Sequence, residues 1–167
     1  MAYYDLLCFL EYYADRNSVY SGGKRTPTRR WQNFYQAPQD MSVIDSDVQG
    51  NFVYVPFTAS GFALQFANTI GDLSIEIAAT GDITDLTDTA IGTNRLVIAS
   101  LYLQDAGKNA VDAASAQLIS RYIGGISGAS MNDTAVAWSI SPMIDKTRPQ
   151  VPTRKVASDL IGRFTGR

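Results

Sequence analysis

Glu11 and Glu76 are the two glutamates of the chain, and a carboxylate pair is what glycoside hydrolysis requires. Their spacing gives no sign that they converge, because each falls inside an apolar stretch that reads as a strand. No histidine is present, so the usual general base and the Ser-His and Cys-His nucleophile arrangements cannot be built. Asp82, Asp85 and Asp88 recur every third residue. An EF-hand calcium loop instead needs acids at alternating positions, a central glycine and a terminal glutamate. The triplet reads as the solvated face of a short helix. Gly124-Gly-Ile-Ser-Gly128 does not open a helix after a strand, so it reads as a bend or bulge between strands rather than a phosphate loop. The expectation is a chain that is not an enzyme and carries neither metal nor cofactor.

Binding is the better prospect. Lys24-Arg-Thr-Pro-Thr-Arg-Arg-Trp31, with Phe34 and Tyr35 beyond, interleaves cations and aromatics as single-stranded nucleic acid binders do. A solvated loop and a contact with a protein partner explain the same pattern. The net charge of -2 and a pI near 5.0 make nucleic acid the least favoured of the three. Arg25, Arg29, Arg30 and Trp31 are therefore candidate partner-binding residues. Cys8, the one cysteine, lies in an apolar run and reads as a buried small hydrophobe, with no disulfide framework.

The elements that must position these residues read as mainly β. Asp5–Tyr13 is an aromatic-rich strand, and Phe52–Phe57 is an edge strand because Pro56 cannot donate to a ladder. Leu73–Ile77 alternates apolar with polar, as a half-buried strand does. Gly81–Ala90 is the short helix. Arg95–Gln104, Leu118–Ile126 and Thr134–Ile140 follow as strands, the last two joined through Gly128–Asp133, with Val136, Trp138 and Ile140 on one buried face. The fold class expected is an antiparallel barrel or sandwich with one helical insertion. Between about residues 14 and 40, glycines, prolines and basic residues predict a long loop, of a kind that binds something when it occurs in a compact domain.

A chain of 167 residues accommodates one domain of ordinary size with an arm. The expected division is a β-rich body over 1–143 and an extended C-terminal arm over 144–167, where Pro149 and Pro152 stiffen a basic segment. Ten of the fourteen basic residues lie either in the loop at 24–30 or in this arm. Arg154, Lys155, Leu160, Ile161 and Phe164 are its candidate docking residues. No segment approaches the roughly 18 apolar residues that span a bilayer, and the N-terminus does not read as a secretion signal. A chain made in the cytoplasm, with no membrane contact, is expected.

From about Val48 onward the order of features resembles the N-terminal part of lambda-type minor tail protein L and related small phage tail proteins. The resemblance rests on Gly50-Asn-Phe-Val-Tyr-Val-Pro56, Ser60-Gly-Phe62 and Leu73-Ser-Ile-Glu-Ile-Ala78. It continues through Leu96–Leu103, Arg121-Tyr-Ile-Gly124, Ala135–Ile140 and Pro152-Thr-Arg-Lys155, about two thirds of the chain. It implies a baseplate or tail-tip hub of a tailed bacteriophage virion, assembled in the host cytoplasm. Its partners would be the tail tube or distal tail protein, the central spike, and further copies of itself in a ring. Protein L also has a cysteine-rich iron-sulfur part, and no cysteine follows Cys8 here, so that cofactor is not carried over. Two other readings remain. One is a carbohydrate-binding β-sandwich, which needs two or three of Trp31, Phe34, Tyr35 and Trp138 on an open surface. The other is a head-to-tail connector.

Overall fold

In a computed structural model the chain is mainly β with one short α-helix. The structure describes residues 3–15, 24–62, 71–90, 93 and 95–142. The expected arm at 144–167, with Arg154, Lys155, Leu160, Ile161 and Phe164, lies outside the described residues. In chain order the elements are β1 (Tyr4–Tyr13), β2 (Arg29–Gln32), β3 (Gln39–Asp40), β4 (Asn51–Tyr54), β5 (Phe57–Ser60) and β6 (Leu73–Ala78). The helix α1 (Gly81–Ala90) follows, then β7 (Leu96–Asp105), β8 (Gln117–Met131) and β9 (Ala135–Pro142). They form one sheet in the order β3-β4-β2-β1-β7-β8-β9-β6-β5. Every pairing is antiparallel except that of β2 with β4.

β1 and β7 are apolar on both faces because both faces are covered. Cys8, Leu10 and Tyr12 of β1 join Val97 and Ala99 of β7 in the principal core. Leu7 and Phe9 join Met41, Val48, Phe52 and Tyr102 in a second cluster on the opposite face. β6 has its outer face in water and shows the alternation that follows, with Leu73, Ile75 and Ile77 buried and Ser74 and Glu76 exposed.

The sheet rolls so that its inner face closes on itself. β2 and β9 are four strands apart in the sheet order, about 19 Å if the sheet were flat at 4.8 Å per strand. Yet the rings of Trp31 on β2 and Trp138 on β9 are 6.2 Å apart, and Tyr12 lies within 6.3 Å of both. Among the described residues no ladder joins the two ends, so the barrel they form is open. The chain bridges that seam itself, because Val55 and Pro56 carry it from β4 near one end of the order to β5 at the other. Val55 N–H donates to Gln32 O at 3.1 Å and Pro56 O accepts from Ala78 N–H at 3.0 Å. What the sequence suggested was one edge strand is thus two, with the proline at the crossing, where no donor is required of it.

α1 covers the core with Ile83, Thr87 and Ala90 while Asp82, Asp85 and Asp88 face water. Thr87 Oγ1 accepts from Trp138 Nε1 at 2.9 Å, which satisfies the one polar atom that burial of this indole brings into the core.

Two expectations need correction. The stretch at about 14–40 is not a structureless loop, because it contains β2 and β3. Arg-Arg-Trp-Gln carries no strand periodicity of its own, and β2 forms because Trp31 fills the core and Gln32 is buried on the other face. The connection expected at Gly128–Asp133 is also mostly strand. β8 runs to Met131, and Asn132 makes the hairpin by accepting from the backbone of Thr134 and Ala135 through Oδ1. The glycine cluster lies inside β8, with a register shift between Ile126 and Gly128 that makes the bulge.

Candidate interaction surface

The basic and aromatic residues singled out by sequence mostly turn inward. Trp31 is buried in the principal core and is not a surface anchor. Arg25 sits in a shielded ion network, where its Nε donates to Glu11 Oε2 at 3.2 Å and an η nitrogen donates to Asp45 Oδ2 at 2.6 Å. Arg121 of β8 donates to the same Asp45 oxygen, to Ser100 Oγ and to Tyr102 OH. Tyr13 OH donates to Glu11. Two cations meet two carboxylates, so the cluster is neutral overall.

Burial raises Glu11 above the ordinary carboxylate range, more than Tyr13 and Arg25 beside it lower it. Asp45 is also raised by burial, but its hydrogen bonds and charge contacts with Arg25 and Arg121 prevail and hold it below that range. Burial alone pushes the Cys8 thiol up to about 12, which leaves it protonated and inert. Arg29 is exposed and pairs with Asp82 of α1 at 2.9 Å, a surface bridge worth about 0.5 kcal/mol. Arg30 is half-buried.

The two glutamates are held apart. Glu11 and Glu76 both leave the outer face of the sheet, on β1 and β6, four strands apart in the sheet order. Among the described residues there is also no cluster of three or more acids or cysteines able to hold a metal.

An exposed apolar surface appears where sequence reasoning did not look for it. At one end of the sheet β1 begins, β7 ends and β8 begins, with Leu6 opposite Leu103 and Leu103 opposite Gln117. Tyr3 and Tyr4 are 75% and 57% exposed there, Leu6 is 56% exposed, and Leu118 and Ile119 are exposed as well. The backbone beneath them is fixed: Ala106 N–H donates to Tyr3 O at 3.0 Å, and Gly107 N–H donates to Asp5 Oδ2 at 3.2 Å. Asp105, opposite Tyr4 in the register, puts a carboxylate on the face that carries Tyr4 and Leu6, and Asp5 lies on the other face. The signal available in the sequence was Tyr3-Tyr4-Asp5-Leu6, aromatics ahead of a strand whose other half is apolar but for Glu11.

The loops beside this end are held by three buried glutamines. Gln32 Nε2 donates to the carbonyls of Phe34, Gln36 and Ala37, Gln39 Oε1 accepts from Val111 N–H, and Gln104 Oε1 accepts from Asp112 N–H. Buried amides that pair with backbone in this way replace a ladder where the chain is irregular.

A second surface feature is an open cleft of about 420 Å³ along the seam, between Asn33, Tyr54, Pro56, Thr58, Glu76 and Ala78. Tyr35, 87% exposed, meets Tyr54 edge-on with ring centroids 5.1 Å apart. Of the four aromatics that a sugar site was expected to draw on, Trp31 and Trp138 are buried, Phe34 packs against the second cluster, and Tyr35 alone is on the open surface.

No protein-family model matches the chain, and no curated protein matches its sequence.

Proposed function

We propose that this chain is a structural, non-catalytic assembly subunit, a tail-tip or baseplate hub of a tailed bacteriophage that links the tail tube to the central spike or receptor-binding machinery. The observation that carries an assembly role is the exposed apolar end of β1, β7 and β8. Tyr4 and Leu6, exposed on one face of a backbone held in ladder, form an apolar pair of the kind that marks a protein interface. The Asp105 carboxylate on the same face favours a partner with a basic residue beside an apolar centre, because complementary charge selects partners and speeds encounter. The placement in a phage tail rests on the resemblance of residues from Val48 onward to the small tail proteins. The rolled sheet, clamped by a neutral ion network and stapled by its own β4–β5 crossing, suits a subunit that must stay rigid while neighbours bear on it.

The test is to purify tailed particles from the host that carries the gene and label them with antibody against this chain. Gold at the tail tip supports the reading, gold at the neck moves the subunit to the head-to-tail connector, and particles that lack the chain end it.

One observation favours a carbohydrate-binding role: the seam cleft, which Tyr54, Asn33 and Glu76 line, with exposed Tyr35 edge-on to the Tyr54 ring. Glycan-array binding that Tyr35→Ala abolishes would select that reading over assembly.

A further inference from the structure

Glu76 stands alone on the outer face of β6. In the ladders it lies between Thr58 of β5 and Ala137 of β9, and Ala78, two residues further along β6, lies opposite Ala135. Residues directly opposite one another, and residues two apart on a strand, project from the same face of a sheet, so the carboxylate rises from a floor of small side chains. Among the described residues it has no ion pair and no hydrogen bond, whereas Glu11, the other glutamate, is paired with Arg25. Across the seam from this floor are Asn33 and Tyr54, which with it line the cleft of about 420 Å³. Ligand pockets run from about 300 to 1,000 Å³, so this one takes a side chain or two of a partner and not a folded surface. Among the described residues that line it, Glu76 carries the only charge.

We propose that this cleft binds an arginine side chain on a peptide segment of a partner protein, with the guanidinium on Glu76 and a neighbouring peptide carbonyl on Asn33. An unpaired carboxylate in a cleft that Pro56, Phe57 and Ile77 also line draws a cation, because low-dielectric walls focus the field of a single charge. A guanidinium offers two parallel N–H donors that match the two carboxylate oxygens, and its flat face packs on an aromatic ring, which Tyr54 supplies. Asn33 Oδ1 accepts from Cys8 N–H at 2.9 Å, which fixes the amide, and its Nδ2 donors have no partner among the described residues. A guanidinium has no acceptor to offer them, but a peptide carbonyl has. A sugar fits less well, because Tyr35 and Tyr54 meet at 89° and do not make one flat platform for a pyranose face. The cleft is on β6, four strands from β1 in the sheet order, so the proposal needs neither the exposed end of β1, β7 and β8 nor a phage origin.

Titration of the isotope-labelled full chain with acetyl-glycyl-arginyl-glycine amide, followed by its backbone amide shifts, tests this. The amides of Asn33, Thr58, Glu76 and Ala78 should move and saturate. The citrulline peptide, in which a neutral urea replaces the guanidinium, should bind at least about tenfold more weakly, and the arginine peptide should lose about as much against Glu76→Gln. Because Glu76 is exposed and bonded to nothing described, that variant keeps the fold, which unchanged shifts elsewhere in the chain verify. On the unaltered chain, added salt should weaken the arginine peptide severalfold. Absence of saturating shifts, equal binding of the citrulline peptide, equal binding to Glu76→Gln, or indifference to salt overturns the proposal. Cellohexaose or chitohexaose that moves the same amides where the arginine peptide moves none overturns it in favour of a sugar.

Discussion

Asp45 holds two arginines at once, and its position decides how the molecule responds to acid. Arg25, from the segment ahead of β2, and Arg121, from β8, both end on its Oδ2, and the side chains of Asp45 and Arg25 are about 10% exposed. Asp45→Asn leaves both cations with a neutral partner in a shielded site, and it should cost about 3 kcal/mol in urea unfolding at pH 7. Because the Asp45 carboxyl is held low, its contribution is present above the ordinary aspartate value near 3.9 and is lost as pH falls through the lowered value. Glu11 has the opposite sign. Its folded value is raised, so its contribution is fullest below the ordinary glutamate value of about 4.3 and is lost as pH rises through the raised one. Glu11→Gln should therefore cost less than Asp45→Asn, and its stability relative to the parent should improve as pH rises from the ordinary glutamate value through the raised one. A relative stability that falls over that interval would show that Arg25 and Tyr13 outweigh the burial of Glu11.

At the scale of elements, legibility followed burial. β6 and β9 were readable because each has one wet and one dry face, and β1 and β7 because apolar residues on both faces leave an unbroken run. β2 was not readable, since its four residues Arg29–Gln32 are stabilised by what surrounds Trp31 and Gln32 and not by any period within them. The apolar patch was missed for a related reason: the sequence shows Tyr4 and Leu6 in a strand, but only the stagger of β1 against β7 and β8 shows that nothing described covers them. The bulge in β8 was legible from its glycines, though its place inside the strand was not. Those glycines differ in what they do. A Cβ at Gly124 would lie 2.4 Å from the carbonyl oxygen of Ser141 on β9, and a backbone atom cannot move aside as a side chain can. Gly124→Ala should cost about 2 kcal/mol by forcing β8 and β9 apart. Gly128, beside the bulge, has open space around it, and Gly128→Ala should change the unfolding midpoint little. Equal losses at both sites would mean that conformational freedom, and not the close approach of β9, accounts for Gly124.

The whole molecule sets a well-fastened interior against one unfastened end. Trp31, Trp138 and Tyr12 close the roll from three different strands, and burial of large side chains at about 1.5 to 3 kcal/mol each dominates its stability. Tyr4 and Leu6, on the same strand as Tyr12, are more than half exposed and contribute little of that. A pair of substitutions separates the two roles. Leu10→Ser removes a fully buried side chain and should unfold a large fraction of the protein, because it opens a cavity and leaves a hydroxyl in the principal core. Tyr4→Ser with Leu6→Ser should leave the unfolding midpoint within about 0.5 kcal/mol of the parent in stability, as surface changes do. Under the proposed assembly role, the same double variant should lose self-association in analytical ultracentrifugation and fail to enter assembled particles, since the patch would be where a neighbour gains its buried area. If the double variant instead unfolds, the exposed end is part of the core in solution. If it folds and assembles like the parent, the patch is not an interface, and the assembly reading loses the observation on which it stands.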